Sequence, residues 1–366
     1  MNILHTETLK GWGGQQNKTL KELVSLKNLG HNTFLICNPN SQISKKAKEK
    51  GIIVFEQEMS KKNFHKTIPY FLNFIKTHNV NMMISHGSTD SWIVAISGNL
   101  SSRKPFIARE RHNLFPINGA VSRFQHRVLF DKILTISQSV KQYLNQIGIK
   151  KEKCFMLPDI VNIKHFEKTK PTLRSEFNIP KDAIIVGVFT SLTKKKGVYD
   201  FFEVAKDILT KCENIYVVFG GDFSKNAKDK IELYFLQNNF DLNKIIWTGF
   251  RDDAAKIMKD FDVFLFPSHT EGLGTVIIEA MASKLPIIVW DIEPMNTLVQ
   301  NNINGLCAPF NDTKELTKLT LQLIHNKPLR KEMGKKSFEK ATDCFSEDIL
   351  TNRLKDLVGE SIVKHS

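Results

Sequence analysis

Short apolar runs alternate with segments of helical spacing along the whole chain. Apolar runs of about four to eight residues between turn residues are typical of buried strands, and apolar residues three or four apart are typical of helices. Helices are predicted between the strands, for example at 15–28 and 138–147. The predicted strands are 2–6, 32–37, 51–55, 81–85, 105–108 and 132–137 in the first half, then 183–189, 215–220, 244–249, 262–267, 285–290 and 305–309.

This alternation is typical of parallel βαβ units, so the predicted fold class is α/β. The periodicity lapses over 158–180, where prolines, lysines and polar residues collect, and a linker is predicted there. A chain of 366 residues is long enough for two domains. We therefore predict two Rossmann-like, doubly wound domains facing each other across a cleft, at 1–165 and 166–345. The remaining segment, 346–366, is expected to be a helix that packs back on the first domain.

The excess positive charge lies entirely in the first half. The chain has 52 Lys and Arg against 38 Asp and Glu, and residues 1–165 hold 24 of the basic and 10 of the acidic residues. A basic domain suggests a partner with phosphates, such as nucleic acid, an anionic membrane or a phosphorylated substrate. A solvated basic surface that aids solubility is the simpler alternative.

The amino-acid composition also indicates the cellular compartment of the protein. The apolar fraction of 41% and the charged fraction of 25% are typical of a soluble globular protein. The five cysteines form no C-x-x-C pair, which favours reduced thiols in a reducing compartment. The first residues lack the apolar length of a signal peptide, and no apolar run approaches the roughly 20 residues of a spanning helix. We therefore expect a cytoplasmic protein that begins at or near Met1.

A glycine-rich segment, GWGGQQ, follows the first predicted strand. Gly13 and Gly14 lie where backbone amides at a helix N terminus could approach a phosphate. A nicotinamide dinucleotide site would need G-x-G-x-x-G and an acid roughly 20 residues on. The second strand ends at Cys37 and the next acid is Glu49, so such a site is disfavoured. The segment is either a phosphate-binding turn or a purely structural one.

A lysine run, Lys194 to Lys196, also follows a predicted strand and opens a helix. Positive charges at a helix N terminus oppose the helix dipole unless an anion relieves them. The run is therefore either part of an anion site or a solvated surface.

The segment FPSHTEGLGTVIIEAMA, 266–282, passes from a buried strand through a short loop into a helix. Glu271 lies in the loop and Glu279 about one turn into the helix, so both carboxylates can converge on one ligand. Carboxylates accept strong hydrogen bonds from sugar and ribose hydroxyls, while the amides of Gly274 and Thr275 suit a diphosphate. Complementing the helix dipole is an alternative role for Glu279, but it does not explain the glycines on both sides of Leu273.

This segment resembles the E-x7-E motif of the retaining, nucleotide-sugar-dependent glycosyltransferases with the GT-B fold, the family called glycosyl transferases group 1. Further stretches are similar to the family in the same order along the chain: GWGGQQ, TISQSVKQYL, SLTKKKG, TGF and DVFLFPSHTEGLG. The resemblance covers nearly the whole chain. It implies that domain 1–165 is the acceptor side and that domain 166–345 binds the donor.

By this resemblance Glu271 holds hydroxyls of the donor sugar, Glu279 holds the ribose hydroxyls, and Lys196 neutralises the leaving diphosphate. Further donor contacts are implied for a set of loop and helix-end residues: Gly13, Gly14, Lys195, Gly272, Leu273, Gly274 and Thr275. The resemblance implies no cofactor and no metal ion. The D-x-D at 260–262 leads directly into a predicted strand, and we interpret it as structural.

Three positions depart from the family pattern. Ser191 stands where an arginine usually pairs with the lysine, and Lys194 or Lys195 is a candidate to replace it. Lys284 replaces the common glycine of A-x-G-x-P, and Thr297 stands where a glutamate is frequent. These differences concern donor affinity and donor identity rather than the fold.

The segment ARERHNLFP, 108–116, resembles an Arg-x-Arg-His segment of some relatives. His112 is expected either to reach the reacting sugar or to be a solvated loop residue, with Arg109 and Arg111 near phosphate or acceptor. Arg123 and Arg127 belong to a basic stretch with interspersed phenylalanines that could meet anionic lipid.

The predicted function is transfer of a sugar from a nucleotide diphosphate donor to an acceptor hydroxyl, with retention, in lipopolysaccharide or other surface glycan biosynthesis. Expected partners are the nucleotide sugar, a glycan or lipid-linked glycan acceptor and the anionic inner face of the cytoplasmic membrane, and not nucleic acid. Two alternatives remain. A sugar-nucleotide epimerase of GT-B-like fold would act on the nucleotide sugar alone. A basic nucleic-acid-binding protein would explain the charge, although no known binding module is recognisable in the sequence.

Overall fold

The computed structural model divides the chain into two compact units. The first unit consists of Met1–Ile160 together with the chain from Asp348 onward, and the second of Val161–Glu347. The structure describes residues 1–113, 115–191, 193–223 and 225–363. The chain thus leaves the first unit after Ile160 and returns after Glu347, close to the predicted boundaries at 165 and 345.

The first unit contains a seven-stranded parallel sheet with the strand order β3-β2-β1-β4-β5-β6-β7. Its strands are β1 Asn2–Glu7, β2 Asn32–Cys37, β3 Ile53–Glu56, β4 Met82–Ser85, β5 Phe106–Arg111, β6 Lys132–Thr135 and β7 Cys154–Met156. Its helices are α1 Gly14–Asn28, α2 Gln42–Glu49, α3 Phe64–Thr77, α4 Ser88–Leu100, α5 Ala120–Phe124 and α6 Gln138–Gln146, with a π-helical turn at Gln125–Leu129. Because the strand order reverses between β1 and β4, the carboxyl ends of these strands are where this type of sheet usually binds its ligand.

The second unit contains a six-stranded parallel sheet with the strand order β10-β9-β8-β11-β12-β13. Its strands are β8 Ile184–Phe189, β9 Ile215–Gly220, β10 Ile245–Gly249, β11 Val263–Phe266, β12 Ile287–Trp290 and β13 Gly305–Ala308. Its helices are α7 Ile163–Lys168, α8 Leu173–Glu176, α9 Val198–Lys211, α10 Lys225–Gln237, α11 Ala254–Met258, α12 Thr275–Ala282, α13 Met295–Leu298, α14 Thr313–His325 and α15 Lys327–Phe345. The corresponding reversal lies between β8 and β11.

The last helix, α16 Glu347–Val363, completes the core of the first unit. Leu350, Leu354 and Leu357 pack in one buried cluster with Ile3 of β1 and Phe155 of β7. Within the described ranges, no helix is both long and apolar enough to cross a membrane.

The alternation of apolar runs located the predicted strands to within a few residues, and two of them, 32–37 and 215–220, agree at both ends. The pattern missed β7, which has only three residues. It also ended the fifth strand at 108, whereas β5 continues to Arg111. This extension places charged side chains in a strand that is buried along its whole length.

The segment 158–180 is not the irregular linker that the sequence predicted. Ile160, Ile163, Phe166 and Leu173 are buried, and the segment contains α7 and α8. The helices are too short for the periodicity of the sequence to reveal them.

The D-x-D segment has structural partners in the second unit. The backbone N–H of Arg174 donates to Asp260 Oδ2 at 3.0 Å, and its guanidinium donates to Asp262 Oδ2 at 3.0 Å. The ring of Phe261 is buried against Gly187. These contacts attach α8 to the start of β11.

Candidate functional site

The turn from β11 into α12 is built around a buried leucine and a left-handed glycine. Leu273 is buried, and Gly274, at φ +87° and ψ +53°, is the N-cap of α12. Glycine adopts this backbone conformation without the steric cost that a side chain would bring. The helix begins at Thr275, and Glu279 lies half-buried four residues further on. The N terminus of a helix carries partial positive charge, so the start of α12 favours a nearby anion.

The turn from β8 into α9 approaches this loop closely. Lys194–Lys196 forms a single 3₁₀ turn, and Gly197 follows at φ +72° as the N-cap of α9. A Cβ atom on Gly197 would lie 1.9 Å from the carbonyl oxygen of Pro267. Only glycine permits this approach, which brings the lysine turn beside the loop that follows β11.

Several polar contacts join the two turns. Lys196 Nζ lies 2.6 Å from Glu271 Oε1, and the same oxygen accepts a hydrogen bond from Ser268 Oγ at 3.0 Å. The backbone N–H of His269 donates to the carbonyl of Lys195 at 2.9 Å, and His269 Nε2 lies 2.7 Å from Asp200 Oδ2. The sequence motifs SLTKKKG and HTEGLG thus form one site.

The exposure of the charged groups decides what this site can bind. The Lys196 and Glu271 side chains are 27% and 12% exposed, and Lys194 and Lys195 are exposed. An incoming ligand can therefore reach the ion pair and exchange its contacts. A carboxylate can accept from hydroxyl groups, while a lysine and helix N–H groups can hold a diphosphate.

The departures from the family pattern have visible structural settings. Ser191 is exposed. Lys284 adopts φ +62°, the left-handed conformation that explains a glycine preference, and its ammonium lies 4.6 Å from the centre of the Phe338 ring. Thr297 Oγ1 donates to Glu293 Oε1 at 2.9 Å. A carboxylate is therefore present beside Thr297, although it is supplied by a residue four positions earlier.

In the first unit, the glycine segment after β1 is held by a buried carboxylate. Glu7 accepts hydrogen bonds from the backbone N–H of Leu9 and from the side chains of Gln15 and Gln16. Burial raises the pKa of Glu7, and the nearby Asp90 raises it further.

The conformation of this turn does not itself require glycine. Gly13 has an extended backbone with φ −162°, and a Cβ atom on Gly14 would meet nothing within 4 Å. Both glycines are exposed. Bare backbone at the start of α1 is thus open to a ligand, which favours the phosphate-binding interpretation over the purely structural one.

His112 is not a solvated loop residue. It follows β5 directly and is half-buried, with Nε2 3.0 Å from His86 Nδ1 and 3.6 Å from Glu110 Oε2. His86 Nε2 in turn lies 3.0 Å from His5 Nδ1. Burial, above all, lowers the pKa of His112 to about 3.

These histidines belong to a larger buried group of ionisable side chains, which we call the buried cluster: His5, Lys18, Glu22, His86, Glu110 and His112. Lys18 Nζ contacts both Glu22 and Glu110. Burial alone would lower the pKa of Lys18, but the two carboxylates raise it above its usual value. Burial and the adjacent Glu110 raise the pKa of Glu22 to about 7. The pKa of Glu110 stays well below its usual range because Lys18 and the histidines outweigh its burial.

Sequence reasoning missed all of the buried cluster except His112. Its members stand at the ends of predicted strands or on a predicted helix, in the segments ILHTE, NKTLKEL, ISHG and ARERH. A polar residue at the carboxyl end of a parallel strand points to a ligand-binding edge, and this signal could have grouped the histidines.

The four arginines predicted on the acceptor or membrane side divide into two pairs. Arg109 and Arg111 are buried, and their expected place near phosphate or acceptor stays a prediction. Arg109 donates to Gln125 Oε1 at 3.0 Å, and Arg111 donates to the carbonyl of Phe115 at 2.6 Å. Their role here is to hold the segment that follows β5.

Arg123 and Arg127, in contrast, are exposed on the helical segment that begins at α5. They alternate with apolar side chains that are also exposed, Val121, Phe124 and Val128. Together with Gly119 and Ala120, four of these residues line a surface pocket. We call this surface the basic-apolar face.

Residues 169–340 match the family described as glycosyl transferases group 1. Among related proteins, the chain is 23% identical over 282 residues to the capsular polysaccharide biosynthesis glycosyltransferase CapM of Staphylococcus aureus, covering 71% of this chain and 73% of the relative. It is 25% identical over 238 residues to the N,N'-diacetylbacillosaminyl-diphospho-undecaprenol alpha-1,3-N-acetylgalactosaminyltransferase of Campylobacter jejuni, covering 63% of this chain and 59% of the relative.

Two solved structures share the fold along nearly the full length of both chains. A glycosyltransferase of Rickettsia africae superposes with a TM-score of 0.90 at 20% identity, covering 99% of this chain and 98% of that one. HepE of Anabaena, solved in complex with UDP and glucose, superposes with a TM-score of 0.83 at 16% identity, covering 98% and 100%. The predicted resemblance and the predicted fold class are both confirmed.

Proposed function

We propose that this chain, which has the GT-B fold, is a member of the glycosyl transferases group 1 and transfers a hexosyl or related sugar from a nucleotide diphosphate donor with retention of anomeric configuration. The acceptor would be a hydroxyl of a glycan or lipid-linked glycan in the biosynthesis of a surface polysaccharide. Its named relatives act in capsule biosynthesis or carry a diphospho-undecaprenol substrate in their names. No observation favours the epimerase or the nucleic-acid-binding alternative.

The Lys196–Glu271 pair beside the N terminus of α12 is the observation that carries this proposal. Glu271 accepts hydrogen bonds from hydroxyls of the donor sugar, and Glu279 accepts them from the ribose. Lys196, Lys195 and the amides of Gly272 to Thr275 hold the diphosphate. In the first unit, Gly13 and Gly14 offer backbone amides to a phosphate.

In the reaction the bond between the anomeric carbon and the diphosphate oxygen breaks, and the acceptor oxygen bonds to that carbon on the same face. The acceptor proton passes to the departing diphosphate. Negative charge grows on the leaving group in the transition state, so positive charge placed there beforehand lowers the barrier. Lys196 and the helix N–H groups supply it, and we propose that no metal ion or cofactor is needed.

A thermal-shift panel with UDP, GDP, ADP, CMP and NAD tests the donor site. A ligand at 100 times its Kd stabilises a protein by about 2.7 kcal/mol, enough to move Tm by several degrees. We expect one nucleoside diphosphate to raise Tm and Glu279→Ala to abolish that shift. A shift with NAD alone, or an unchanged shift in Glu279→Ala, would contradict the proposed site.

We also propose that the protein works as a peripheral enzyme on the inner face of the cytoplasmic membrane. The basic-apolar face supports this because arginines attract anionic lipid while Phe124 and its apolar neighbours enter the interface. We expect co-sedimentation with phosphatidylglycerol vesicles at low salt and loss of binding in the double variant Arg123→Glu, Arg127→Glu. Lys150→Glu with Lys151→Glu is the charge-matched control, and equal loss in both variants would exclude a specific face.

A further inference from the structure

The three histidines of the buried cluster form a row with one repeating geometry. His5 Nδ1 faces His86 Nε2 at 3.0 Å, and His86 Nδ1 faces His112 Nε2 at 3.0 Å. Each link thus joins the δ nitrogen of one ring to the ε nitrogen of the next. The row begins at β1, continues just after β4 and ends at the half-buried His112 after β5.

The carboxylate of Glu110 decides which nitrogens carry protons. Its Oε2 lies 3.1 Å from His86 Nδ1 without the alignment of a hydrogen bond, and at that distance its negative charge favours an N–H over a bare lone pair on the ring nitrogen. His86 Nδ1 therefore carries a proton, which leaves His112 Nε2, 3.0 Å from the same nitrogen, as an acceptor. A neutral imidazole has one donor and one acceptor nitrogen, so the proton of His112 is on Nδ1.

We infer that His86 and Glu110 fix His112 as a neutral imidazole with its proton on Nδ1, so that His112 acts as a hydrogen-bond donor to an uncharged or anionic oxygen of the substrate. His86 and Glu110 are positioning residues in this arrangement. The identity of that oxygen, on the donor sugar or its phosphates, rests on the proposed function. The assignment of the His112 tautomer does not depend on the proposed function.

The surroundings of His86 on every side support the same assignment. Facing it are Glu110 and His112 from β5 and its end, His5 and Glu7 from β1, and Glu22 from α1. Asp90 of α4 accepts a hydrogen bond from its backbone N–H. The charges of Lys18 and Glu110 balance one another. The negative charge of Glu22 is then balanced only by one further proton, which is held either by the Glu22 carboxyl itself or by His86.

Both positions of this shared proton leave His112 unchanged. If His86 holds the proton, both of its nitrogens donate. If Glu22 holds it, His86 keeps its proton on Nδ1, beside Glu110, and Nε2 accepts from His5. Because Nε2 of His112 faces an N–H group in each case, His112 cannot take up a proton there. The depressed pKa of His112, caused first by burial, agrees with this. His112 is thus neither the general base nor the general acid of the reaction.

Nuclear magnetic resonance of protein carrying ¹⁵N-labelled histidine tests the tautomer directly, without any substrate. His112→Asn identifies the His112 signals by their absence. Between pH 6 and pH 8 we expect a protonated Nδ1 and an unprotonated Nε2 with no titration. A proton on Nε2, a mixture of tautomers, or titration in this range would overturn the inference. In folded His86→Gln we expect His112 to become a mixture, and a pure Nδ1 tautomer there would show that His86 does not fix it. The wild-type spectrum decides the tautomer even if this variant does not fold.

Two substitutions at His112 test the donor role. The amide nitrogen of asparagine takes the place of Nδ1, whereas that of glutamine takes the place of Nε2. We expect His112→Asn to retain kcat within about tenfold of the wild type, and His112→Gln to be slower than His112→Asn by at least a further tenfold. Equal losses in the two variants would overturn the donor role. A wild-type protein without any transfer activity would contradict the proposed function but would leave the tautomer measurement standing.

Discussion

The two units place their charged groups in opposite settings. In the first unit, Lys18, Glu22 and Glu110 are almost fully buried and contact one another. In the second unit, Lys196 and Glu271 meet at the edge of a loop, where both remain partly exposed. Both sets lie at the carboxyl ends of parallel strands or on the helix that follows, so the topology alone does not separate them.

Burial determines what each set can do. Ions that are taken out of water depend on one another, because a charge left unpaired inside a protein is costly. Such a set keeps its geometry and can position a neighbour, as we infer for His112. Partly exposed ions lose little when they separate, so their contacts can be exchanged for those of a ligand. The second unit therefore suits donor binding, and the first unit offers a preformed, rigid surface.

The largest expected effect comes from breaking the buried cluster. Lys18→Met leaves Glu22 and Glu110 without their shared cation, and we expect the free energy of unfolding to fall by about 3–5 kcal/mol. Lys48→Met is the matched control because the Lys48–Glu56 pair is largely exposed, and its loss should cost about 1 kcal/mol or less. Urea unfolding of both variants measures the difference. Similar losses would mean that burial does not distinguish the two pairs.

At the exposed pair we expect the opposite result, a large effect on activity and a small one on stability. Lys196→Ala removes positive charge from the leaving diphosphate, and a loss of about 10²–10³ in kcat is expected by analogy with the loss of one preorganised electrostatic group. Lys206→Ala, further along α9, removes a partly exposed pair with Glu203 and a contact with the Tyr234 ring, and should leave kcat unchanged. Steady-state kinetics with the donor found by the thermal-shift panel provides the measurement. If Lys196→Ala chiefly destabilised the protein, the pair would be structural.

Two glycines give a further comparison, between a position where the backbone requires glycine and one where it does not. Gly197→Ala should destabilise the protein by at least about 1–2 kcal/mol, because φ is +72° and the new Cβ would meet the Pro267 carbonyl. Gly14→Ala should be neutral or stabilise by up to about 1 kcal/mol, since nothing lies near its Cβ. If phosphate approaches the bare backbone at Gly14, this variant will nevertheless bind the nucleotide diphosphate more weakly. If calorimetry shows that Gly14→Ala binds the nucleotide diphosphate with unchanged affinity, the glycine segment has a purely structural role.

The sequence predicted the α/β fold because the fold depends on local pattern. For the same reason it singled out the loop residues that the structure brings together in the second unit, whose roles stay a prediction. Apolar runs marked the strands, and the glycines around Leu273 marked the loop that presents Glu271. The buried cluster depends instead on contacts between distant parts of the chain, such as Lys18 with Glu110. No local pattern shows that a lysine on a helix meets a glutamate in a strand 92 positions later. For the same reason, the sequence did not show that Arg109 is buried while Arg123 is exposed.

The smallest expected effect is a change of stability with pH caused by the shared proton of the buried cluster. The pKa of Glu22 is raised to about 7, and Glu110 raises that of His86 against the opposing effect of burial. Groups whose pKa is raised on folding lose their contribution as the pH rises through the folded value. We therefore expect stability to fall by about 1 kcal/mol between pH 6 and pH 8, the free energy of roughly one pKa unit. Below pH 6.5, the lowered pKa values of His5, His112 and His126 act in the other direction and destabilise the protein as the pH falls. In Glu22→Gln the charges of Lys18 and Glu110 balance without the extra proton. The urea midpoint of this variant should therefore fall much less above pH 6 than that of the wild type. A decline as steep as that of the wild type would show that the proton is not held by Glu22 and His86.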